Sequence, residues 1–128
     1  MLLYHGTSIE NAISILKNGF DFSKSGKNWG CTYGNGIYFT PNYETAKFYA
    51  QSDGIVLSFN IDVIEFQLTK YVSPNSRKKP KIPENYNCVV SPDKDEYLIL
   101  YFIWFLKYNK IFFVLFERFY YEYYIYKL

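Results

Sequence analysis

The sequence predicts one mixed α+β domain with mostly antiparallel strands and two short helices. Its 128 residues are enough for a single hydrophobic core. Two segments show helical periodicity, and the apolar runs between them are short and bounded by turn residues. Because strands and helices do not alternate regularly, a doubly wound parallel sheet is not expected.

The first helix is predicted directly after a short apolar strand at residues 2–4. Thr7 and Glu10 have the spacing of a capping box, in which both side chains bond the first free amides. Gly19 is expected to end the helix in a left-handed conformation. Apolar side chains recur between these signals with helical spacing at Ile9, Ala12, Ile13 and Leu16.

The second helix is predicted after a glycine-rich loop over 23–35 and a short strand at 37–39. Thr40-Pro41 is expected to start this helix, since proline suits its first position. One helical face then carries Tyr43, Ala46, Tyr49 and Ala50. Further strands are predicted at 55–61, around Val89-Val90 and from Glu96 to Tyr101, with a polar, exposed connection over 68–87.

The composition changes abruptly at Tyr97. From there to the end the chain has no Gly, Pro, Ser, Thr, Ala or Asp, and it holds 8 of the 15 tyrosines. We expect a folded domain over 1–101 and a divergent or frame-shifted aromatic tail over 102–128. Residues 97–116 also have the length of a membrane span, but polar side chains near the middle are costly in hydrocarbon, so no membrane partner is expected.

Charge and cysteine content exclude little but favour an intracellular protein, cytoplasmic or nuclear. The net charge of +2 does not indicate a nucleic-acid or membrane partner. The basic run over 77–81 is interpreted as a solvated loop, with nucleic-acid contact as the weaker alternative. Cys31 and Cys88 lack the spacing of a disulfide framework or a zinc site, so no metal is expected. No signal-peptide pattern is visible at the start.

His5 and Gly6 are candidate binding residues at the end of the first apolar run. His5 is the single histidine, and a neutral imidazole can hydrogen-bond a ribose hydroxyl. Gly6 has no side chain, so its amide and carbonyl can approach a ligand closely and pair with a carboxamide. A lone histidine is more often structural than functional, so this pair needs support from other residues.

Three further side chains could complete a pocket. Tyr38 and Tyr49 are candidate walls for a flat ring, although most aromatic residues in this chain must lie in the core. Glu96 precedes an apolar strand, where a carboxylate can hold a ribose hydroxyl and stabilise an oxocarbenium-like charge. Asp93 and Asp95 are interpreted as turn residues in water.

Taken in order, these blocks resemble the catalytic domain of poly(ADP-ribose) polymerases, in the His-Tyr-Glu group of ADP-ribosyltransferases. The similarity runs from about residue 2 to about residue 101. The resemblance implies a split, mostly antiparallel β core. It also implies an enzyme that cleaves the nicotinamide–ribose bond of NAD and transfers ADP-ribose to a protein or nucleic-acid acceptor. The blocks are Tyr4–Thr7, Lys17–Phe20, Tyr33–Thr40, the helix through Ala46 and Tyr49-Ala50, and Glu96-Tyr97.

The resemblance also implies a role for each residue, without a metal. His5 would bind the adenosine ribose, the Gly6 backbone the carboxamide, and Tyr38 and Tyr49 the two faces of nicotinamide. Glu96 would hold the nicotinamide-ribose hydroxyl and orient the acceptor. The catalytic set is therefore His5, Tyr38 and Glu96, and Gly36 and Ala46 join the NAD-binding set. The loop over 21–35 would correspond to the donor loop over the dinucleotide.

Departures from the family pattern leave two alternatives open. Ala46 stands where many members have a serine that bonds the carboxamide. The segment before Glu96 is short, and the chain then enters the aromatic tail rather than a closing strand. An inactive module that binds NAD or ADP-ribose is therefore the main alternative. An RNA 2′-phosphotransferase of related fold is a second, disfavoured by the single histidine.

Overall fold

The framework consists of two four-stranded sheets and two helices. The computed structural model describes residues 1–21, 33–34, 36–100, 112–115 and 122–123. Its elements are β1 (Leu2–Thr7), α1 (Ile9–Asn18), β2 (Ile37–Phe39), α2 (Tyr43–Ala50), β3 (Ile55–Asn60), β4 (Glu65–Gln67), β5 (Cys88–Val90), β6 (Tyr97–Ile99), β7 (Phe112–Leu115) and β8 (Glu122–Tyr123). The first sheet has the order β1-β3-β7-β8 and the second the order β2-β6-β5-β4.

The pairing confirms the predicted fold class, α+β with mostly antiparallel strands and two short helices. Every neighbouring pair of strands is antiparallel except β4 and β5, which run parallel. The sheets meet at one isolated bridge among the described residues, between Tyr4 of β1 and Thr40 just after β2. Two backbone bonds close this bridge, from the Tyr4 amide to the Thr40 carbonyl (2.7 Å) and from the Thr40 amide to the Tyr4 carbonyl (2.9 Å).

A central core fills the space between the inner faces of the two sheets. Alternate residues of each strand point into it, as the two-residue period of a strand requires. Phe20, just after α1, packs its ring against Phe39 of the second sheet and Phe59 of the first, at 5.6 and 5.4 Å between ring centres. The buried strand residues of this core are Leu3, Ile37, Phe39, Ile55, Leu57, Phe59, Cys88, Val90, Tyr97 and Ile99.

Two thinner layers cover the outer faces. Helix α2 packs Ala46 and Ala50 against Val56 of the first sheet. On the second sheet, the connection over 68–87 contributes Leu68, Val72 and Ile82, which pack with Tyr33, Val89 and Leu98. This connection has no helix or strand and is largely exposed, as predicted, yet its apolar side chains form the cover of the second sheet.

Both helices begin later than the sequence predicts. The N-cap of α1 is Ser8, whose hydroxyl accepts a bond from the Asn11 amide, because Thr7 is still paired in β1. The N-cap of α2 is Asn42, and Thr40 is held in the bridge to β1 instead of starting the helix. Gly19 ends α1 at a φ of +78°, as expected.

The remaining differences lie in short or late segments. Strand β4 was not predicted, because three residues give too short a pattern to recognise. Within the tail, β7 pairs with β3 and β8 pairs with β7, so these two segments extend the first sheet. The other tail residues from 102 onward lie outside the described part of the chain. Within that part, none of the helices has the length and apolar character needed to cross a membrane.

We expect Leu57→Ala to lower the free energy of unfolding by about 2–5 kcal/mol, because it removes a buried side chain from the central core. The Leu57 side chain is 1% exposed, whereas that of Ile64 is 56% exposed. The control Ile64→Ala should therefore change stability by no more than about 0.5 kcal/mol. Urea unfolding followed by circular dichroism measures both, and similar losses would contradict the assignment of the core.

Candidate active site

Beyond the Tyr4–Thr40 bridge, β1 and β2 form no further backbone pair among the described residues, and we call this edge of β1 the notch. Both backbone groups of Tyr4 point towards β2, so those of its neighbours His5 and Leu3 point towards β3. The amide and carbonyl of Gly6 then point in the same direction as those of Tyr4, out of the first sheet. Among the described residues no partner bonds these two groups. The edge at Gly6 thus presents one donor and one acceptor to the notch.

The His5 imidazole lies at the inner side of this notch. Its Nδ1 is 2.8 Å from the carbonyl oxygen of Tyr38, which can only accept, so Nδ1 carries the proton. The ring packs against Phe20 and Phe39 at 5.2 and 5.6 Å between centres. Burial lowers the pKa of His5, and the bond to Tyr38 opposes this without reversing it. The imidazole is therefore neutral near pH 7, with an Nε2 lone pair able to accept from a hydroxyl.

The side chain of Tyr38 lies on the opposite, outer face of the second sheet. Its neighbours Ile37 and Phe39 face the central core, so the two-residue period turns Tyr38 outward. Its hydroxyl accepts a bond from the Tyr33 amide and donates one to the Gly34 carbonyl, each at 3.1 Å. These bonds fix the orientation of the phenol.

Glu96 lies on the same outer face of the second sheet as Tyr38. Tyr38 pairs with Leu98, so continuing the β2–β6 register places Glu96 opposite Thr40 and diagonal to Tyr38. Its backbone is held by Ser91: the Glu96 amide donates to the Ser91 hydroxyl, and the Ser91 amide donates to the Glu96 carbonyl, both at 2.9 Å. The turn from β5 to β6 therefore fixes the backbone position from which the Glu96 side chain extends.

The carboxylate of Glu96 is half-buried in a group of acids and phenols. Burial raises the pKa of Glu96, the hydrogen bond from the Tyr33 phenol lowers it, and the charges of Asp93 and Asp95 raise it further. In turn, burial and the charge of Glu96 raise the pKa of the Tyr33 phenol. Partial burial and the charges of Glu96 and Asp95 likewise raise the pKa of Tyr49 in α2, whose side chain is 55% exposed. The structure thus gathers Tyr38, Glu96 and Tyr49 on one side of the molecule.

Asp95 is not the solvated turn residue that the sequence suggests. Its carboxylate accepts bonds from the hydroxyls of Thr40, at 3.1 Å, and Thr45, at 3.3 and 3.1 Å to its two oxygens. Because Thr45 lies in α2, these hydrogen bonds connect the residue just before β6 to the helix that carries Tyr49. Asp93 is exposed as predicted, although it accepts bonds from the Ser91 hydroxyl and the Asp95 amide.

Gly6, Ala46 and Gly36 owe their positions to close packing. A Cβ added to Gly6 would lie 1.8 Å from the Ala46 carbonyl oxygen, so only glycine lets α2 approach β1 here. Ala46 is fully buried between that helix and the first sheet. A Cβ on Gly36 would meet the Ile99 carbonyl at 2.3 Å. The proposed contact of Ala46 and Gly36 with NAD therefore rests on the family resemblance alone and stays a prediction.

Sequence reasoning missed Tyr33, whose backbone amide donates to the hydroxyl of the candidate residue Tyr38. The signal was its place at the start of the Tyr33–Thr40 block, three residues before the tight Gly36 contact with β6. Of the predicted donor loop, only Asp21, Tyr33 and Gly34 fall in the described part of the chain. No group of three or more His, Cys, Asp or Glu side chains arranged to hold a metal ion occurs in that part.

The depressed pKa of His5 predicts a pH dependence of stability. The unfolded imidazole binds protons below its ordinary value of 6.5 and the folded one resists them, so the free energy of unfolding falls as pH decreases below about 6.5. In His5→Asn the amide can still donate to the Tyr38 carbonyl, but nothing titrates. Urea unfolding from pH 8 to pH 5 should show a smaller loss in this variant than in the parent. Parallel curves would contradict a neutral His5 in the folded protein.

Comparison with known proteins adds one finding to this geometry. A model of the poly(ADP-ribose) polymerase catalytic domain matches residues 1–94 of the 128. The match includes His5, Gly6, Tyr38 and Tyr49 and ends two residues before Glu96. Searches of curated proteins and of solved structures gave no match. Because the matched segment covers well over half of the chain, this protein belongs to the family of the poly(ADP-ribose) polymerase catalytic domain.

Proposed function

We propose that this chain is an NAD-dependent ADP-ribosyltransferase, which cleaves the nicotinamide–ribose bond and transfers ADP-ribose to a protein acceptor. Its family uses NAD as a substrate. The observation that supports the proposal most is the half-buried Glu96 carboxylate on the same face as Tyr38 and within the field of Tyr49. A half-buried carboxylate near two phenols is suited to a flat, cationic ring attached to a ribose.

The notch supplies groups for the nicotinamide end of the substrate. A carboxamide needs one hydrogen-bond donor and one acceptor, and the outward-pointing backbone of Gly6 offers both. The rings of Tyr38 and Tyr49 would cover the faces of nicotinamide, and such aromatic pairs contribute about 0.5–1.5 kcal/mol each beyond buried area. On the inner side, Nε2 of a neutral His5 would accept a bond from a hydroxyl of the adenosine ribose.

The chemistry needs positioning and one stabilising charge. The bond between the ribose C1′ and the nicotinamide nitrogen breaks, and nicotinamide leaves with the electron pair as a neutral molecule. An acceptor nucleophile bonds to C1′ and loses a proton, so the products are ADP-ribosyl acceptor, nicotinamide and H⁺. The ionised Glu96 would hold a ribose hydroxyl and stabilise the positive charge that develops at C1′.

One observation favours the second candidate, a module that binds NAD or ADP-ribose without turnover. Ala46 is buried and carries no hydroxyl, so the carboxamide would lose the bond that a serine gives in many family members. The backbone of Gly6 would then hold the carboxamide alone. Weaker positioning of nicotinamide lowers the rate more than it lowers binding.

We expect Glu96→Gln to reduce nicotinamide release and label transfer from NAD by roughly 10²–10³-fold, because a neutral amide cannot stabilise the developing charge. Binding of NAD should remain close to that of the parent. Incubation with NAD labelled in the adenosine part measures transfer, and calorimetry measures binding.

His5→Ala serves as the contrasting variant, since it should weaken NAD binding itself. The control Ile64→Ala removes an exposed side chain that has no assigned contact with the substrate. Equal activity of Glu96→Gln and the parent would exclude the mechanism. A folded parent that binds NAD but releases no nicotinamide would leave the binding module as the function.

A further inference from the structure

We propose that Asp95 is a positioning residue of this site, which sets the gap between Tyr49 of α2 and Glu96 beside β6. It does so by holding the hydroxyls of Thr40 and Thr45. The consequence for nicotinamide binding rests on the proposed function. The hydrogen bonds themselves belong to the folded chain, so the gap can be measured with no substrate present.

The two sides of this gap are carried by different sheets. Tyr49 belongs to α2, which packs on the first sheet, whereas Glu96 directly precedes β6 of the second sheet. Among the described residues, backbone pairing between the sheets is limited to the single bridge between Tyr4 and Thr40. Side-chain contacts are therefore needed to fix the distance between α2 and β6.

The Asp95 carboxylate supplies such contacts. One of its oxygens accepts from the hydroxyls of Thr40 (3.1 Å) and Thr45 (3.3 Å), and the other accepts from Thr45 (3.1 Å). Thr40 is buried, and its hydroxyl also accepts from the amide of Asn42, the N-cap of α2. Hydrogen bonds to an ionised acceptor are stronger than those between neutral groups. The end of β2, helix α2 and the start of β6 are thus joined at one carboxylate.

The residues that flank the gap are near neighbours of this contact. Glu96 follows Asp95 directly, and Tyr49 lies four residues after Thr45, one turn further along the same face of α2. Four residues of an α-helix span about 6 Å. Burial and the charges of Glu96 and Asp95 raise the pKa of Tyr49, which agrees with their proximity. A change in the bond between Asp95 and Thr45 would therefore move Tyr49 relative to Glu96.

The gap concerns one part of the substrate only. Tyr49 is the proposed wall for the nicotinamide ring, whereas the adenosine ribose is proposed to bind His5 on the inner side. Loosening α2 should therefore weaken the binding of nicotinamide. The binding of ADP-ribose, which lacks that ring, should stay as in the parent.

Thr45→Val is the sharpest test, because it removes one hydroxyl, keeps the shape of the side chain and leaves the charges around Glu96 intact. We expect the affinity for nicotinamide, measured by calorimetry, to fall about threefold to tenfold, the range that a stacked ring contributes. The affinity for ADP-ribose should not change. Thr45→Ser keeps the hydroxyl and should bind nicotinamide as the parent does. The control Thr69→Val removes the hydroxyl of an exposed threonine and should change neither affinity.

A double variant separates positioning from a general structural role. If the contact acts through Tyr49, then Thr45→Val should cause no further loss in a Tyr49→Ala background. Equal losses for nicotinamide and ADP-ribose, additive losses in the double variant, or a Thr45→Ser that fails to match the parent would overturn the proposal. Should Thr45→Val not fold, Thr45→Ala removes the same hydroxyl with a higher helix propensity.

A second measurement needs no substrate. Spin labels on Glu44→Cys and Lys94→Cys, both at exposed positions, report the distance between α2 and the turn before β6. Cys31 is replaced by serine, and Cys88 is fully buried, so it does not take the label. Electron paramagnetic resonance should show a broader distribution of distances in Thr45→Val than in the parent or in Thr45→Ser. An unchanged distribution would refute the positioning role, whereas a parent that binds neither nicotinamide nor ADP-ribose would refute the proposed function alone.

Discussion

The site depends on one bridge that joins the sheets and then lets them separate. Tyr4 and Thr40 exchange both of their backbone bonds, and one residue further along β1 the imidazole of His5 takes the Tyr38 carbonyl instead. If β1 and β2 had continued to pair, Gly6 would lie opposite Tyr38 and its amide would donate to the Tyr38 carbonyl. Because the side chain of His5 replaces that backbone bond, β1 and β2 can diverge without leaving the Tyr38 carbonyl unsatisfied. His5 thus satisfies the Tyr38 carbonyl at the edge where pairing between β1 and β2 ends.

On the outer face of the second sheet, the Glu96 carboxylate lies where ionisation is unfavourable. Glu96 is half-buried, and two further acids lie close by, so its surroundings favour the protonated form. The hydrogen bond from Tyr33 opposes this, and the Asp95 charge is itself engaged by the hydroxyls of Thr40 and Thr45. Groups held against their ordinary ionisation are common where a charge is needed at one stage of a reaction. A cationic ring entering beside Glu96 would relieve the repulsion among the acids.

Patterns that depend on near neighbours were predictable, and long-range contacts were not. The periodicity of α1 and the cap at Gly19 predicted that helix, and β3 followed from a continuous apolar run. The cap at Ser8 was missed because Thr7 also fits a capping box, and only the pairing of β1 with β3 decides between them. In the site, the types and order of His5, Tyr38 and Glu96 were visible in the sequence. The hydrogen bonds of Asp95 to Thr40 and Thr45 join residues that are at least 50 positions apart in the sequence, so no local pattern predicts them.

Most residues that position Glu96 lie within the segment that matches the family. Two features fix its backbone: its amide and carbonyl bond Ser91, and β6 pairs in register with β2. Except for the short strand β6, which directly follows Glu96, the partners in these contacts lie within residues 1–94. The family match ends at Lys94, but the fold carries the chain directly from that turn into β6, beside β2 and β5. Most residues that hold Glu96 in place thus lie in the matched segment, while β7 and β8 extend the other sheet.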